Sequence, residues 1–199
     1  MASARTEGTR VVLLLLAAMW AVEIVDVALD NRLDQYGIEP RDPEGLVGVL
    51  AAPFLHAGFG HLIANSIPFV VLGILIALRG LGRVLAVSAI VLLVSGLGTW
   101  LVAPAGTTHI GASGVVFGYA TYLLASGFFN RRAMEILVGV AVAAVWGTAL
   151  LGGLMPQEGV SWQGHLFGAI GGVIAAWTLR SRRTIRSDGG HRSPLRNAP

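Results

Sequence analysis

Six long apolar stretches, and the arginines set between them, constrain this chain more than any other feature. They run over residues 11–29, 54–78, 84–104, 112–129, 133–154 and 161–179. Each is about long enough to cross a hydrocarbon core of roughly 30 Å as a helix. With 54% hydrophobic and 13% charged residues among 199, the chain has too little polar surface to clothe a water-soluble domain. The expected fold is an all-α membrane protein, a bundle of six transmembrane helices.

Arginine placement gives that bundle a direction. Arg5 and Arg10 precede the first stretch, Arg79 and Arg83 follow the second, and Arg131 and Arg132 follow the fourth. Arg180, Arg182, Arg183 and Arg186 follow the sixth. The remaining loops are poor in basic residues, and the first, residues 30–53, sets five acids against Arg32 and Arg41. The positive-inside rule then places both termini in the cytoplasm and the protein in the cell (inner) membrane as a multi-pass chain. The net charge of +3 is thereby read as topology, which removes nucleic acid as a partner. Cysteine is absent, so no disulfide framework and no thiolate metal site is available. No metal and no cofactor is expected.

The layout follows: residues 1–10 as a cytoplasmic N-terminus, 11–180 as the six-helix membrane domain, and 181–199 as a polar, disordered cytoplasmic tail. Residues 11–22 have the basic start of a signal peptide. No A-x-A site follows, and Glu23 and Asp26 intervene, so a retained helix is expected. The loop 30–53 is broken by Gly37, Pro40, Pro43 and Gly45, and loops of that length are often functional.

Polar residues inside a membrane are costly, so their depths are informative. With the inner arginines as markers and a rise of about 1.5 Å per residue, Ser113 lies about 27 Å above the inner face and His165 about 22 Å. Asn65 and His61 come to about 21 and 27 Å. Four polar groups from three helices thus share one slab in the outer half of the core. His56 falls at about 34 Å, at or above the outer surface. Each residue alone has an ordinary explanation: a membrane serine back-bonds to its own helix, and a membrane histidine bridges helices. The shared depth argues for a site.

Glycines give a second line. Gly111 and Gly114 flank Ser113; Gly114 and Gly118 form one G-x-x-x-G step, and Gly164, Gly168 and Gly172 form two more. Small residues at this spacing let helix backbones approach closely. His165, Gly168 and Gly172 lie on one face, so packing of the fourth helix on the sixth would bring the imidazole to the Ser113 hydroxyl. Plain helix packing without chemistry uses the same glycines. His61 and Asn65 are i and i+4 on one face and can both donate hydrogen bonds, which suits an oxyanion site. A serine needs a base, and His165 is the only candidate on its helix. No acid is well placed to complete a triad: Glu23 and Asp26 sit on the first helix and Glu158 in an outer loop. A dyad is expected. Phe117, one turn past Ser113, either stacks on the imidazole or packs as ordinary core.

The strings FLHAGFGHLIAN, GASG and GHLFGAIGG together resemble the rhomboid family of intramembrane serine proteases, in its bacterial six-helix form, over about residues 37–179. The resemblance implies Ser113 as nucleophile, His165 as base, His61 and Asn65 at the oxyanion positions and His56 as a helix-top histidine. It implies single-span membrane proteins as substrates, cut near their outer end. Three places depart from the family's habit: GLVGVL where a Trp-Arg pair is common, IALRG where an acid often ends the second helix, and Phe117 where tyrosine is common. Two other readings stand beside it. One is a non-catalytic scaffold that binds membrane proteins on the same fold. The other is a small transporter, disfavoured because only Glu135 continues a polar path inward. His109 is expected near the site but not in it, His191 in the tail, and Glu23 with Asp26 as a structural polar pair at the outer interface.

Overall fold

The computed structural model describes residues 2–181. The rest of the expected tail, residues 182–199 with His191, lies outside the described residues. Six long helices dominate: α1 (Ala2–Ala28), α3 (Phe59–Ala77), α4 (Leu81–Val102), α5 (Ser113–Asn130), α6 (Ala133–Gly153) and α7 (Trp162–Thr178). A one-turn α2 (Gly48–Ala51) sits between 3₁₀ turns in the segment before α3. The β-type pairing found among the described residues is one antiparallel bridge, Ile38 with His109.

Helices α1, α3, α4 and α6 are long and apolar enough to cross a membrane. The remaining two are shorter, at 18 residues for α5 and 17 for α7. They are also more polar, with Tyr119, Tyr122 and Ser126 on α5 and Gln163 and His165 on α7. A helix walled in by its neighbours has less need of an all-round apolar surface, and α5 is mostly buried. Outward-facing Leu13, Leu14, Ile67, Leu101, Val140 and Leu151 form an apolar exterior of the kind lipid solvates. The protein is a multi-pass membrane protein.

Two helices differ in extent from their apolar stretches. Residues 2–10, expected as the cytoplasmic N-terminus, are helical and continuous with α1. Gly8 explains this: a Cβ there would sit 3.2 Å from the Ala77 Cβ and 3.3 Å from the Leu81 nitrogen, so α1 docks closely on the α3–α4 corner. The second stretch, expected from residue 54, becomes helix only at Phe59. Gly58, at φ +94°, turns the chain there, in a region that favours glycine. The long first loop is a series of short helical turns folded onto the bundle. A Cβ on Gly48 would meet the Gly37 carbonyl at 2.3 Å.

The tightest seam joins α5 to α7. A Cβ on Gly168 would fall 2.1 Å from the Gly114 carbonyl oxygen, and one on Gly172 would fall 2.1 Å from that of Gly118. Thr121 Oγ1, 2.9 Å from the Ala169 carbonyl, adds a polar stitch. Beside this seam, Val12, Leu62, Phe69, Leu72, Val91 and Tyr119 make the core. Helix α6 packs at its margin, fully burying only Gly139 and Val142. At the other end from Ser113, Arg79 pairs with Glu135 at 3.1 Å and donates to the Tyr122 hydroxyl at 2.8 Å. Asn130 donates to the same Glu135 at 2.7 Å. Arg79 is therefore more than a charge left at the inner face: it ties α3 to α5 and α6. Glu135, the one candidate for an inward polar path, is consumed in that tie.

Gly168→Val forces the α5–α7 seam apart and is expected to cost about 1–3 kcal/mol as overpacking. Gly147→Ala meets nothing within 4 Å and serves as the control. Thermal midpoints of the two variants in detergent check this: the first falls, the second holds or rises.

Candidate active site

Ser113 opens α5 and His165 lies in the first turn of α7. Both sit at helix N-termini, where backbone amides lack intrahelical partners and the helix dipole is positive. Gly111, at φ +110°, turns the chain into α5. A Cβ on Gly111 would lie 2.6 Å from the His61 Cε1, so the bare glycine also makes room for that ring. Gly114 does the same for Ser95, whose Oγ would meet an added Cβ at 2.3 Å. On α7, Ser161 caps the helix by accepting from the Gly164 amide at 3.3 Å.

The Ser113 hydroxyl lies 2.8 Å from His165 Nε2, and His165 Nδ1 lies 2.7 Å from the Gly153 carbonyl. A carbonyl can only accept, so in the neutral ring Nδ1 carries the proton. Nε2 then accepts from the Ser113 hydroxyl. No carboxylate takes part: the orienting acceptor is a backbone oxygen at the C-terminal end of α6. Phe117 stacks on the imidazole, with ring centroids 4.1 Å apart and planes within 6°. Gly153 is also sterically committed, since a Cβ there would reach Phe117 at 2.6 Å and His165 Nδ1 at 3.0 Å.

His61 Nδ1 accepts from the Ala57 amide at 3.4 Å, which leaves Nε2–H as the free donor of a neutral ring. Asn65 donates one amide proton to the His61 carbonyl at 3.0 Å and keeps the other. Both side chains line a cavity of about 730 Å³ together with Ser113, Phe117, Trp146 and His165. A smaller void of about 30 Å³ lies against Ser113, bordered by Ser95, Thr99 and Ser161. Gly168 and Gly172 contribute through the seam rather than by lining the cavity.

His56 lies before the first residue of α3 and is fully buried in protein, and its Nε2 accepts from the Ala112 amide at 3.4 Å. His56 thus supports the backbone just before Ser113. Glu23 and Asp26 are buried in protein. Asp26 accepts from the Leu33 amide at 2.7 Å, and both Glu23 oxygens have no hydrogen-bond partner among the described residues. Burial, with Asp26 and Glu23 nearby, pushes the Asp34 carboxyl up to about 6. Glu158 is exposed and does not bond His165. Among the described residues no group of three or more His, Asp or Glu could hold a metal ion.

Sequence reasoning missed Gly153, because a backbone carbonyl leaves no residue signature. It also passed over Ser161, although a serine three residues before Gly164 at the head of an apolar run is a readable cap signal.

Comparison with known proteins gives the family. A family model for the Rhomboid domain matches residues 43–182. Over 195 residues the chain is 44% identical to the uncharacterized protein Rv1337 of Mycobacterium tuberculosis, covering 92% of this chain and 81% of that one. It is 43% identical to the uncharacterized protein ML1171 of Mycobacterium leprae, covering 92% and 77%. A Bacillus subtilis protein named "Putative rhomboid protease YdcA" is 31% identical over 137 residues, 66% of each chain. The chain belongs to the rhomboid family, a family of intramembrane serine proteases that also includes inactive members.

Burial, then the neighbouring His61, lowers His56 to about 4, with the Phe54 carbonyl opposing. The folded value lies below the unfolded one, so this group's stabilisation is full above about pH 6.5 and is lost as pH falls toward 4. Asp34 acts with the opposite sign in the same window, being raised. Comparing wild type with His56→Asn isolates the histidine: between pH 7 and 4.5 the variant is expected to lose less of its thermal midpoint. An equal loss in both would show that His56 is not the titrating group.

Proposed function

We propose that this chain is an intramembrane serine endopeptidase that cuts transmembrane segments near the outer face of the cell membrane. In this reading all six long helices cross the bilayer with both termini cytoplasmic, as the arginine pattern requires. The observation that carries the proposal is the Ser113–His165 contact at 2.8 Å, with the opposite ring nitrogen held by Gly153 at 2.7 Å.

His165 takes the Ser113 proton as the hydroxyl attacks the scissile carbonyl. Negative charge grows on the carbonyl oxygen, and the free donors of His61 and Asn65, with the first amides of α5, stabilise it. Losing one such donor typically costs about 3 kcal/mol of barrier. The imidazolium formed is steadied by the Gly153 carbonyl and the Phe117 face. His165 then returns the proton to the leaving amine, and an acyl-enzyme remains on Ser113. Water, with His165 again as base, releases the acid. The 30 Å³ void beside Ser113 is large enough to hold a water molecule.

The cavity accepts an extended strand more readily than an intact helix, because a helix hides its carbonyls in its own hydrogen bonds. The substrate is therefore a single-span membrane protein whose outer end unwinds, entering past the loosely packed α6. Glycine or proline near the cut lowers the cost of unwinding by about 1–3 kcal/mol per residue relative to alanine.

A fluorophosphonate probe is expected to label purified wild-type protein at Ser113, and neither Ser113→Ala nor His165→Ala. Cleavage of a single-span substrate in detergent is expected to fall by at least roughly 10³-fold in either variant. An intact wild-type protein that neither labels nor cleaves would instead be a binding scaffold. Replacing a helix-breaking residue of the substrate by leucine is expected to slow cleavage; acceleration would refute the unwinding step.

A further inference from the structure

A second serine–histidine contact sits one step upstream of the first. His109 Nδ1 lies 2.8 Å from Ser161 Oγ, and the two residues are 52 apart in sequence, the same separation as Ser113 and His165. Each partner stands four residues before a member of the candidate dyad, with the residue types exchanged. The histidine is now on the segment leading to the nucleophile, and the serine on the segment leading to the base.

The direction of every bond in this contact can be assigned. Thr107 Oγ1 donates to the Pro104 carbonyl at 2.7 Å, which uses its one proton. The 2.8 Å contact between Thr107 Oγ1 and His109 Nε2 must then have the ring as donor. A neutral His109 with its proton on Nε2 accepts at Nδ1, so the Ser161 hydroxyl donates to it. The lone pairs of Ser161 stay free to accept the Gly164 amide at 3.3 Å, while the Ser161 carbonyl accepts the His165 amide at 3.1 Å. Ser95 fixes the other side of Gly164, donating to its carbonyl at 2.9 Å. His109 is itself anchored, since its amide and carbonyl exchange hydrogen bonds with Ile38 at 3.0 and 2.9 Å. Burial lowers the His109 imidazole, in keeping with a neutral ring.

We propose that His109 is a positioning residue for the reaction: through the Ser161 cap it locks the first turn of α7, and so the His165 imidazole, onto the loop that delivers Ser113. This rests on the serine-protease reading for its catalytic consequence. The seam glycines fix how closely α5 and α7 approach along their lengths. They do not fix the register of the two N-termini, where the reacting atoms must meet to within a fraction of an ångström. A misplacement of about 1 Å at such a pair can cost on the order of 10²-fold in rate. His109 reaches no reacting atom, so its influence passes through Ser161 and the backbone of Gly164 and His165.

The contact makes an asymmetric prediction among substitutions. In His109→Asn the side-chain oxygen occupies the place of Nδ1 and still accepts from Ser161. His109→Gln reaches toward Thr107 instead and leaves Ser161 unheld. His109→Ala and Ser161→Ala each remove the tie. With purified protein in detergent and a single-span substrate, kcat is expected to fall roughly 10- to 100-fold in His109→Ala, His109→Gln and Ser161→Ala. KM should stay within about twofold, and His109→Asn within about threefold of wild type in kcat. The double variant His109→Ala/Ser161→Ala is expected to be no worse than either single one, because both cut the same link. Ring ¹⁵N signals of His165 in ¹⁵N-histidine-labelled protein should shift in the alanine variants and not in His109→Asn. That spectrum reads the tie whether or not the protein turns over substrate. An unchanged His165 spectrum in a folded His109→Ala protein overturns the proposal, as does His109→Asn behaving like His109→Ala. A wild type with no cleavage and no probe labelling overturns the protease reading instead, and leaves the spectrum to decide the tie.

Discussion

The close approach of α5 to α7 is the constraint from which the rest of this structure follows. Gly168 faces the Gly114 carbonyl and Gly172 the Gly118 carbonyl with no room for a methyl group. In lipid there is no hydrophobic drive to press helices together, so association depends on backbone contact and on interhelical hydrogen bonds. The glycines supply the first and Thr121 the second. Two helices held this near each other bring their N-termini together, and the Ser113 and His165 side chains stand at those termini. The seam thus brings the two side chains within reach of each other, an approach that any larger residue on it would spoil.

Polar groups divide between the two ends of the bundle according to whether they are satisfied. At one end Arg79, Glu135, Tyr122 and Asn130 consume one another's hydrogen-bonding capacity and join three helices. At the other, His61 and Asn65 retain free donors that face a sizeable cavity. Leaving donors unused within a membrane protein is costly, and the groups left unused here are those an oxyanion would need. In the proposed reading that asymmetry sets this bundle apart from a conduit, in which polar groups would continue from face to face.

Helix α6 has an unusual place in the arrangement. It fully buries only two residues in the bundle, yet its final residue supplies the carbonyl that fixes the His165 tautomer. Under the proposed function, the element best able to move aside for a substrate therefore also orients the base. In the proposed mechanism, outward motion of α6 loosens the imidazole, and its return restores the orientation, so that admission and chemistry are linked through one hydrogen bond.

The sequence by itself determined the helical bundle, its apolar exterior, and the candidates Ser113, His165, His61, Asn65 and Phe117. It could do so because helical periodicity converts residue number into depth and face, and because four-residue glycine spacing marks a close seam. The same arithmetic does not reach His56, since a rise of about 1.5 Å per residue holds only inside a helix and α3 begins at Phe59. Nor does it show that α1 continues back through residues 2–10, because the reason lies in what Gly8 touches on the α3–α4 corner. Only the tertiary structure decided that a Gly153 carbonyl stands where an acid was sought, that His56 braces the Ala112 amide, and that His109 reaches Ser161. Each of these joins segments distant along the chain through backbone atoms or single hydrogen bonds. Such contacts leave no periodic trace, so they exist only once the helices have chosen their neighbours.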